Sequence, residues 1–274
     1  MEKILVSKVK TTKNLKKDIE KTVNLIGGFE KFVKKGESVL LKPNYVFDSP
    51  YPAVSDAKFV RVVGELCFEA GAKEVVVGES SVMYSSTKKI YENQGLYREL
   101  EGTEIKIVDF DDEKYERVKS GGKYWNNIFF AQRGLNSNCI IYLPCLKTHY
   151  LADFTMSLKL TDGFTKKITR VWQHAGNLRK KMVDLNLVVK PRLIILDGRK
   201  CFTTRGPAEG EIREPNLILA STDRIAIDVE GIKIIQSFSG NDLAGKNPWE
   251  LGQIKYAVEK GIGVKSEQEY RVVS

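Results

Sequence analysis

The chain has 274 residues, 42% of them hydrophobic, which suits one large α/β domain with a sizeable core. Forty-four Lys and Arg against 35 Asp and Glu leave a formal charge of +9, a balance that favours anionic partners such as carboxylates, phosphates or nucleic acid. No stretch approaches the roughly 18 uninterrupted apolar residues of a bilayer span, so no membrane partner is expected.

Ile4–Val9 reads as a strand entered directly from Met1, without the longer apolar run and small-residue cleavage site of a signal peptide. Leu15–Val33 reads as a helix interrupted at Gly27-Gly28, Ser38–Leu41 as a compact apolar strand, Ala57–Ala70 as an amphipathic helix and Glu74–Val77 as a strand. A helix over Thr87–Leu100 leads to a strand at Ile105–Val108. Tyr115–Arg133, with Gly121-Gly122 between flanking aromatics, predicts a small β-hairpin insertion. Ile140–Leu143, Leu193–Leu196 and Leu217–Ala220 complete the short buried strands, and Asp223 is placed to cap a helix over Ile225–Ile235 that carries Asp228 inside it. This alternation predicts a mostly parallel, doubly wound sheet with helices on both faces, in a single domain over residues 1–274. Four cysteines (Cys67, Cys139, Cys145, Cys201) are spaced too widely for a disulfide framework or a C-x-x-C pair, so a reducing cytoplasm and no metal ligand set are expected.

The strand ends carry the polar residues. Ser38–Leu41 runs into Lys42-Pro43-Asn44, Glu74–Val77 into Gly78-Glu79-Ser80-Ser81, and Ile105–Val108 into Asp109. Ile140–Leu143 runs into Pro144-Cys145-Leu146-Lys147-Thr148-His149, and Leu193–Leu196 into Asp197-Gly198-Arg199. Each alone is an ordinary strand-to-helix turn. In an open parallel sheet, however, carboxyl ends share the edge where ligands bind. Lys42, Asn44, Glu79, Ser80 and Asp197 are therefore candidate substrate-binding residues, joined by Arg205 from the loop Thr203–Gly210, whose glycines would let backbone N–H groups approach an anion.

Histidine is the usual proton carrier at neutral pH, and His149 and His174 are the only two. Asp153 follows His149 by four, the spacing of one helical face and of an oriented acid–base pair. Lys147 and Lys159 are candidate anion or oxyanion partners, making His149, Lys147, Lys159 and His174 the candidate catalytic set. Between Gly163 and Val183 lie six cations (Lys166, Lys167, Arg170, Arg179, Lys180, Lys181) and no Asp or Glu. That segment suits a basic flap over an anionic ligand, a solvated face, or a nucleic-acid contact with Trp172 as stacking platform. Walker, dinucleotide, nucleophile-elbow and zincin motifs do not occur.

Taken in order, these segments resemble the domain of unknown function 362 family over roughly Val39 to Gln236. Lys42-Pro43-Asn44 resembles its K-P-N, Ala70-Gly71-Ala72 to Gly78-Glu79-Ser80 its A-G-A and acidic strand end, Pro144–His149 its P-x-x-K-T-H, and Ser157-Leu158-Lys159 its S-L-K. Asp184-Leu185-Asn186, Lys190-Pro191, Asp197-Gly198, Gly206-Pro207 and Asp223–Asp228 follow in the family's order. Many members carry a fused ferredoxin-like Cys module, which this sequence lacks, so the resemblance implies no cluster here. The family is also distantly similar to the nickel-pincer lactate racemase fold, an analogy without residue-by-residue alignment. Cys145, Leu160 and Arg224 depart from the family's usual basic residue, asparagine and proline.

The leading reading is an enzyme doing acid–base chemistry on a small anionic organic substrate, with isomerase, lyase and oxidoreductase all open. A nucleic-acid binder using residues 163–183, and a metal- or iron–sulfur-linked accessory protein using His149 and Cys145, are the alternatives. The cofactor is undetermined by the sequence, and a homodimer is compatible with it.

Overall fold

The computed structural model describes residues 3–274. Its strands are β1 (Ile4–Lys10), β2 (Ser38–Lys42), β3 (Glu74–Glu79), β4 (Lys106–Asp109), β5 (Tyr115–Lys119), β6 (Asn127–Ala131), β7 (Cys139–Tyr142), β8 (Cys145–His149), β9 (Asp153–Thr155), β10 (Leu193–Phe202), β11 (Ile212–Arg213), β12 (Leu217–Ser221) and β13 (Tyr270–Val273). The main sheet runs β13-β1-β12-β10-β7-β2-β3-β4, and β10, β7, β2, β3 and β4 pair in parallel. The far side turns antiparallel at β10–β12 and β12–β1. The fold is thus mixed α/β with a mostly parallel centre, and the antiparallel flank completes it.

Period-2 alternation divides the strands between two apolar layers. Val39, Leu41, Val75, Val77, Ile141 and Ile195 face a core with Ile19, Val23, Phe59 and Val63 from helices Leu15–Asn24 and Ala57–Glu69. Leu40, Val76, Ile140, Ile194 and Leu196 face the other way, onto Met182, Ile225, Val229, Ile232 and Ile254 from helices Leu178–Leu185, Arg224–Gln236 and Gly252–Glu259. Because both faces are covered, the central strands read as near-continuous apolar runs.

Helix punctuation follows local chemistry. The expected helix over 15–33 ends at Asn24 and resumes at Phe29–Phe32, because Gly27 and Gly28 both take positive φ. The one expected over 87–100 is split into Thr87–Asn93 and Leu96–Leu100 at Gly95, φ 74°. Asp223 caps Arg224–Gln236, accepting from Ile225 N and Ala226 N at 2.9 Å each. Tyr115–Lys119 and Asn127–Ala131 form a separate antiparallel hairpin.

Two expectations about strand ends change. Asp197 does not terminate a strand, since β10 continues to Phe202 and Asp197 pairs in register with Ile218. The helix expected through His149 and Asp153 is instead an antiparallel hairpin, β8–β9, in which His149 lies opposite Asp153. The turn is tight enough to need positive φ at Asp153 (67°), a conformation that short acidic side chains tolerate.

Candidate active site

The chain leaves β2 for β3 and β4 on one side, then returns to place β7 and β10 on the other. Strand order therefore reverses between β2 and β7, and a crevice outside their carboxyl ends is where such sheets bind ligands. There a cavity of about 380 Å³ is lined by Val46 and Phe47 after β2, Val82–Tyr84 after β3, His149 at the end of β8 with Tyr150 after it, and Pro207 and Ala208 after β10. Lys159, Asp162, Arg170, Val171, Gln173 and His174 close it from the segment that follows β9. A larger groove of about 720 Å³ lies at the amino-terminal edge, lined by Glu37, Lys73, Glu113, Arg133 and neighbours. It lacks both histidines and lies away from the switch point, so size does not make it the better candidate.

His149, Lys159 and His174 line the smaller cavity together. The His149 Nδ1 accepts from Leu151 N at 3.1 Å and Ala152 N at 3.3 Å. A ring nitrogen that accepts twice carries no hydrogen, so the neutral imidazole bears its proton on Nε2. Burial, reinforced by the nearby charges of Lys159 and Lys147, pushes the His149 pKa down to about 2, which keeps the ring neutral. At neutral pH the ring therefore presents an N–H donor at Nε2.

Lys159 sits on a short helical turn, Ser157–Leu160, whose orientation is set from behind. Asp228, fully buried within helix Arg224–Gln236, accepts from Ser157 N and Leu158 N at 2.9 Å each. Burial raises the Asp228 pKa to about 7 despite those bonds. The Asp228 carboxylate therefore clamps the base of the Lys159 turn. Lys159 Nζ itself reaches Asp162 at 3.4 Å.

Among the described residues Asp162 is the one carboxylate in the cavity wall. Burial pushes its pKa up, but Lys159, Arg170 and the Gln173 amide together hold it below the usual carboxylate value. Arg170 pairs with Asp162 at 3.8 Å and donates to Ser80 O at 2.6 Å, Ser81 O at 2.8 Å and Thr165 O at 2.8 Å. It staples the basic segment to the end of β3. His174 is exposed on that segment, with Nδ1 3.4 Å from Arg170 O.

The other expected site residues surround the cavity without lining it. Lys147 is fully buried, donating to Ala53 O and, at 3.1 Å, to Pro207 O; burial lowers its pKa to about 8. It holds the wall that contains Pro207. Lys42 and Glu79 form a fully buried ion pair at 2.6 Å, with Lys42 Nζ also on Pro43 O at 2.8 Å and Glu79 receiving Tyr45 N at 3.3 Å and Ser80 N at 2.9 Å. Asn44 takes Val46 N at 3.4 Å, and Ser80 Oγ donates to Asp111. Asp197 is held by Arg199 at 2.6 Å and by Tyr51 OH at 3.0 Å. Arg205 is exposed at φ 54°, and the amide of Gly206 is taken by Thr148 Oγ1 at 3.2 Å, so that loop braces β8. Asp153 turns away from His149 to pair with Arg179 at 2.5 Å.

Of the six cations between Gly163 and Val183, Lys167 pairs with Asp111 (2.8 Å), Arg170 with Asp162 and Arg179 with Asp153. Half of the apparent basic run is thus paired with acids outside the segment. Cys145 is buried against Ser55 at 3.8 Å, and burial pushes its thiol up to about 11. Cys145 and His149 stand at opposite ends of β8, about 13 Å apart at strand rise, too far to share one ion. Among the described residues, no group of three or more His, Cys, Asp or Glu side chains could hold a metal ion.

Gln173 is not singled out by the sequence as a cavity residue, and Arg170 only as one of the six cations of the basic flap. The signal for Gln173 was its place beside His174; for Arg170 there was none beyond charge.

No helix among the described residues is long and apolar enough to cross a membrane. The chain is 30% identical over 219 residues to the Thylakoid-associated protein sll1697 of Synechocystis sp., a match covering 77% of this chain and 67% of that one. Its fold matches the lactate racemase apoprotein from Thermoanaerobacterium thermosaccharolyticum with a TM-score of 0.54 at 8% identity, over 84% of this chain. The chain spans 57% of that protein's length, and at such identity the likeness concerns fold alone. The family model described as Domain of unknown function (DUF362) matches residues 39–233, nearly the stretch over which the sequence motifs run in order, and the chain belongs to the DUF362 family.

Proposed function

We propose that the protein is an enzyme performing acid–base chemistry on a small anionic organic molecule held in the cavity between Phe47 and Val171. The observation that carries this reading is the meeting of His149, Lys159 and His174 around one 380 Å³ cavity at the switch point of the sheet. Lys159 offers three N–H donors and shares one long contact with Asp162, leaving capacity for a ligand anion. His149, neutral with its hydrogen on Nε2, donates to a ligand oxygen and stabilises charge that develops there. His174, exposed on the basic segment, is the proton carrier in contact with solvent. Lys147, Lys42 and Glu79 act as positioning residues behind the wall.

The test is calorimetric titration of small carboxylates and phosphates, followed by ligand deuteration in D2O. Lys159→Met should weaken anion binding about 10- to 150-fold, the worth of a hydrogen bond to a charged group. His174→Gln should abolish exchange at the ligand while leaving affinity intact. Absence of binding by any anion up to about 10 mM, a free energy under about 3 kcal/mol, would remove the reading.

A further inference from the structure

Buried polar side-chain atoms almost always find a partner, so an exception calls for an explanation. Among the described residues three stand alone: Tyr45 OH, Gln173 Oε1 and Gln253 Oε1. Of these three residues, Gln173 is the one that lines the cavity. The residue is only 1% exposed. The Nε2 end is committed to Asp162 Oδ1 and, at 3.4 Å, to Thr165 Oγ1. Those bonds fix which way the amide faces, because reversing it would set a carbonyl oxygen against the Asp162 carboxylate. A fixed acceptor without a partner is left on a residue of the cavity wall.

Lys159 and Gln173 grip the two oxygens of the same carboxylate, Lys159 on Oδ2 and Gln173 on Oδ1. A cationic donor and a residue with an unmet acceptor therefore flank Asp162. A simple anion answers Lys159 and leaves Gln173 Oε1 unpaired. A ligand that also carries a hydroxyl or N–H group a few bonds from its charge answers both.

We infer that Gln173 is the specificity-determining residue of this site, selecting anions that bear a hydroxyl or N–H donor near the charged group. The inference rests on the cavity being an anion site, as proposed above. Carboxylate and phosphate ligands share the required chemistry. The apolar wall of Phe47, Val82, Met83 and Val171 takes the remainder of the molecule.

The experiment titrates the intact protein with matched pairs: hexanoate against its 2-, 3- and 4-hydroxy derivatives, and hexyl phosphate against hydroxylated hexyl phosphates. One hydroxylated member should bind about 5- to 150-fold tighter than its parent, the range for meeting a buried unpaired acceptor. The better series identifies the anion. Gln173→Met and Gln173→Ala, which remove the acceptor, should each bring the ratio of hydroxylated to parent affinity down to about one. If parents and hydroxylated ligands bind the intact protein equally, or Gln173→Met keeps the ratio, the inference fails while the anion site stands. If no member of either series binds, the site reading fails and takes this inference with it. Should Gln173→Met not fold, Gln173→Ala read in the same way decides.

Discussion

Gly163→Ala is the most informative single perturbation of the site's foundation. A Cβ at this position would overlap Glu79 Oε1 and Lys42 Nζ and come within 2.7 Å of Glu79 Cδ. Neither charged group has anywhere to go. Both are fully buried, Glu79 is held by Tyr45 N and Ser80 N, and Lys42 by Pro43 O. Burial already lowers the Lys42 pKa against the pull of Glu79, so separating the pair exposes each ion to an uncompensated desolvation cost. Breaking such a pair costs about 3–5 kcal/mol. For a chain of this size that corresponds to a fall in melting temperature of roughly 6–20 °C. Chemical denaturation monitored by circular dichroism measures the loss directly. Lys42→Met should cost a similar amount, and the double variant Lys42→Met/Glu79→Leu should recover much of it, because no isolated charge remains. A loss under about 1 kcal/mol for Gly163→Ala, within ordinary surface-substitution effects, would refute the argument that the pair is rigidly caged.

His149 makes acid destabilising: its folded pKa of about 2 lies far below the unfolded value near 6.5, so the unfolded state binds the extra proton throughout that window. Each pH unit below about 6.5 should cost about 1.4 kcal/mol from this group, and the slope of stability against pH should be flatter in His149→Gln by that amount. Equal slopes in the two proteins would mean the imidazole is charged in the folded state. Lys147→Met should destabilise by about 1–3 kcal/mol because Ala53 O and Pro207 O lose their donor, and it should weaken ligand binding through Pro207; unchanged stability would remove its positioning role. Asp228→Ala frees the amides of Ser157 and Leu158, with an expected loss of about 1–3 kcal/mol and weakened ligand binding as the Lys159 turn loosens, read by calorimetry.

Much of the fold could be read from the chain, because the β-branched runs and the polar residues at their ends report burial directly. Val39–Leu41 and Val75–Val77 are buried on both faces, and their apolar continuity says so. The errors come where tertiary contact decides. His149 and Asp153 have a helical spacing, yet β10 offers Leu146 and Lys147 a strand partner, and the chain pairs instead of coiling. The same holds for the site. Histidine scarcity pointed to His149 and His174, and lysine spacing to Lys159. Nothing local reveals that Lys147 faces two carbonyls, that Asp162 gathers Lys159, Arg170 and Gln173, or that Asp153 belongs to Arg179. The Lys147 and Asp153 pairings join segments distant in the chain, the Asp162 cluster depends on how residues 159–173 fold back on themselves, and charge counts see neither.

β10 is one continuous strand with two tenants. Its first half, Leu193–Asp197, belongs to the main sheet, and its last residues, Cys201 and Phe202, carry β8 and with it His149. Between them the register with β8 slips, from Asp197 opposite Cys145 to Cys201 opposite Leu146. That irregularity works as a slip joint. A residue gained or lost there would turn Cys201 and Phe202 to opposite faces and shift the histidine, while leaving the sheet upstream in register. A lineage could reshape this cavity by editing residues 198–200, well outside its lining, without disturbing the core that holds the domain together.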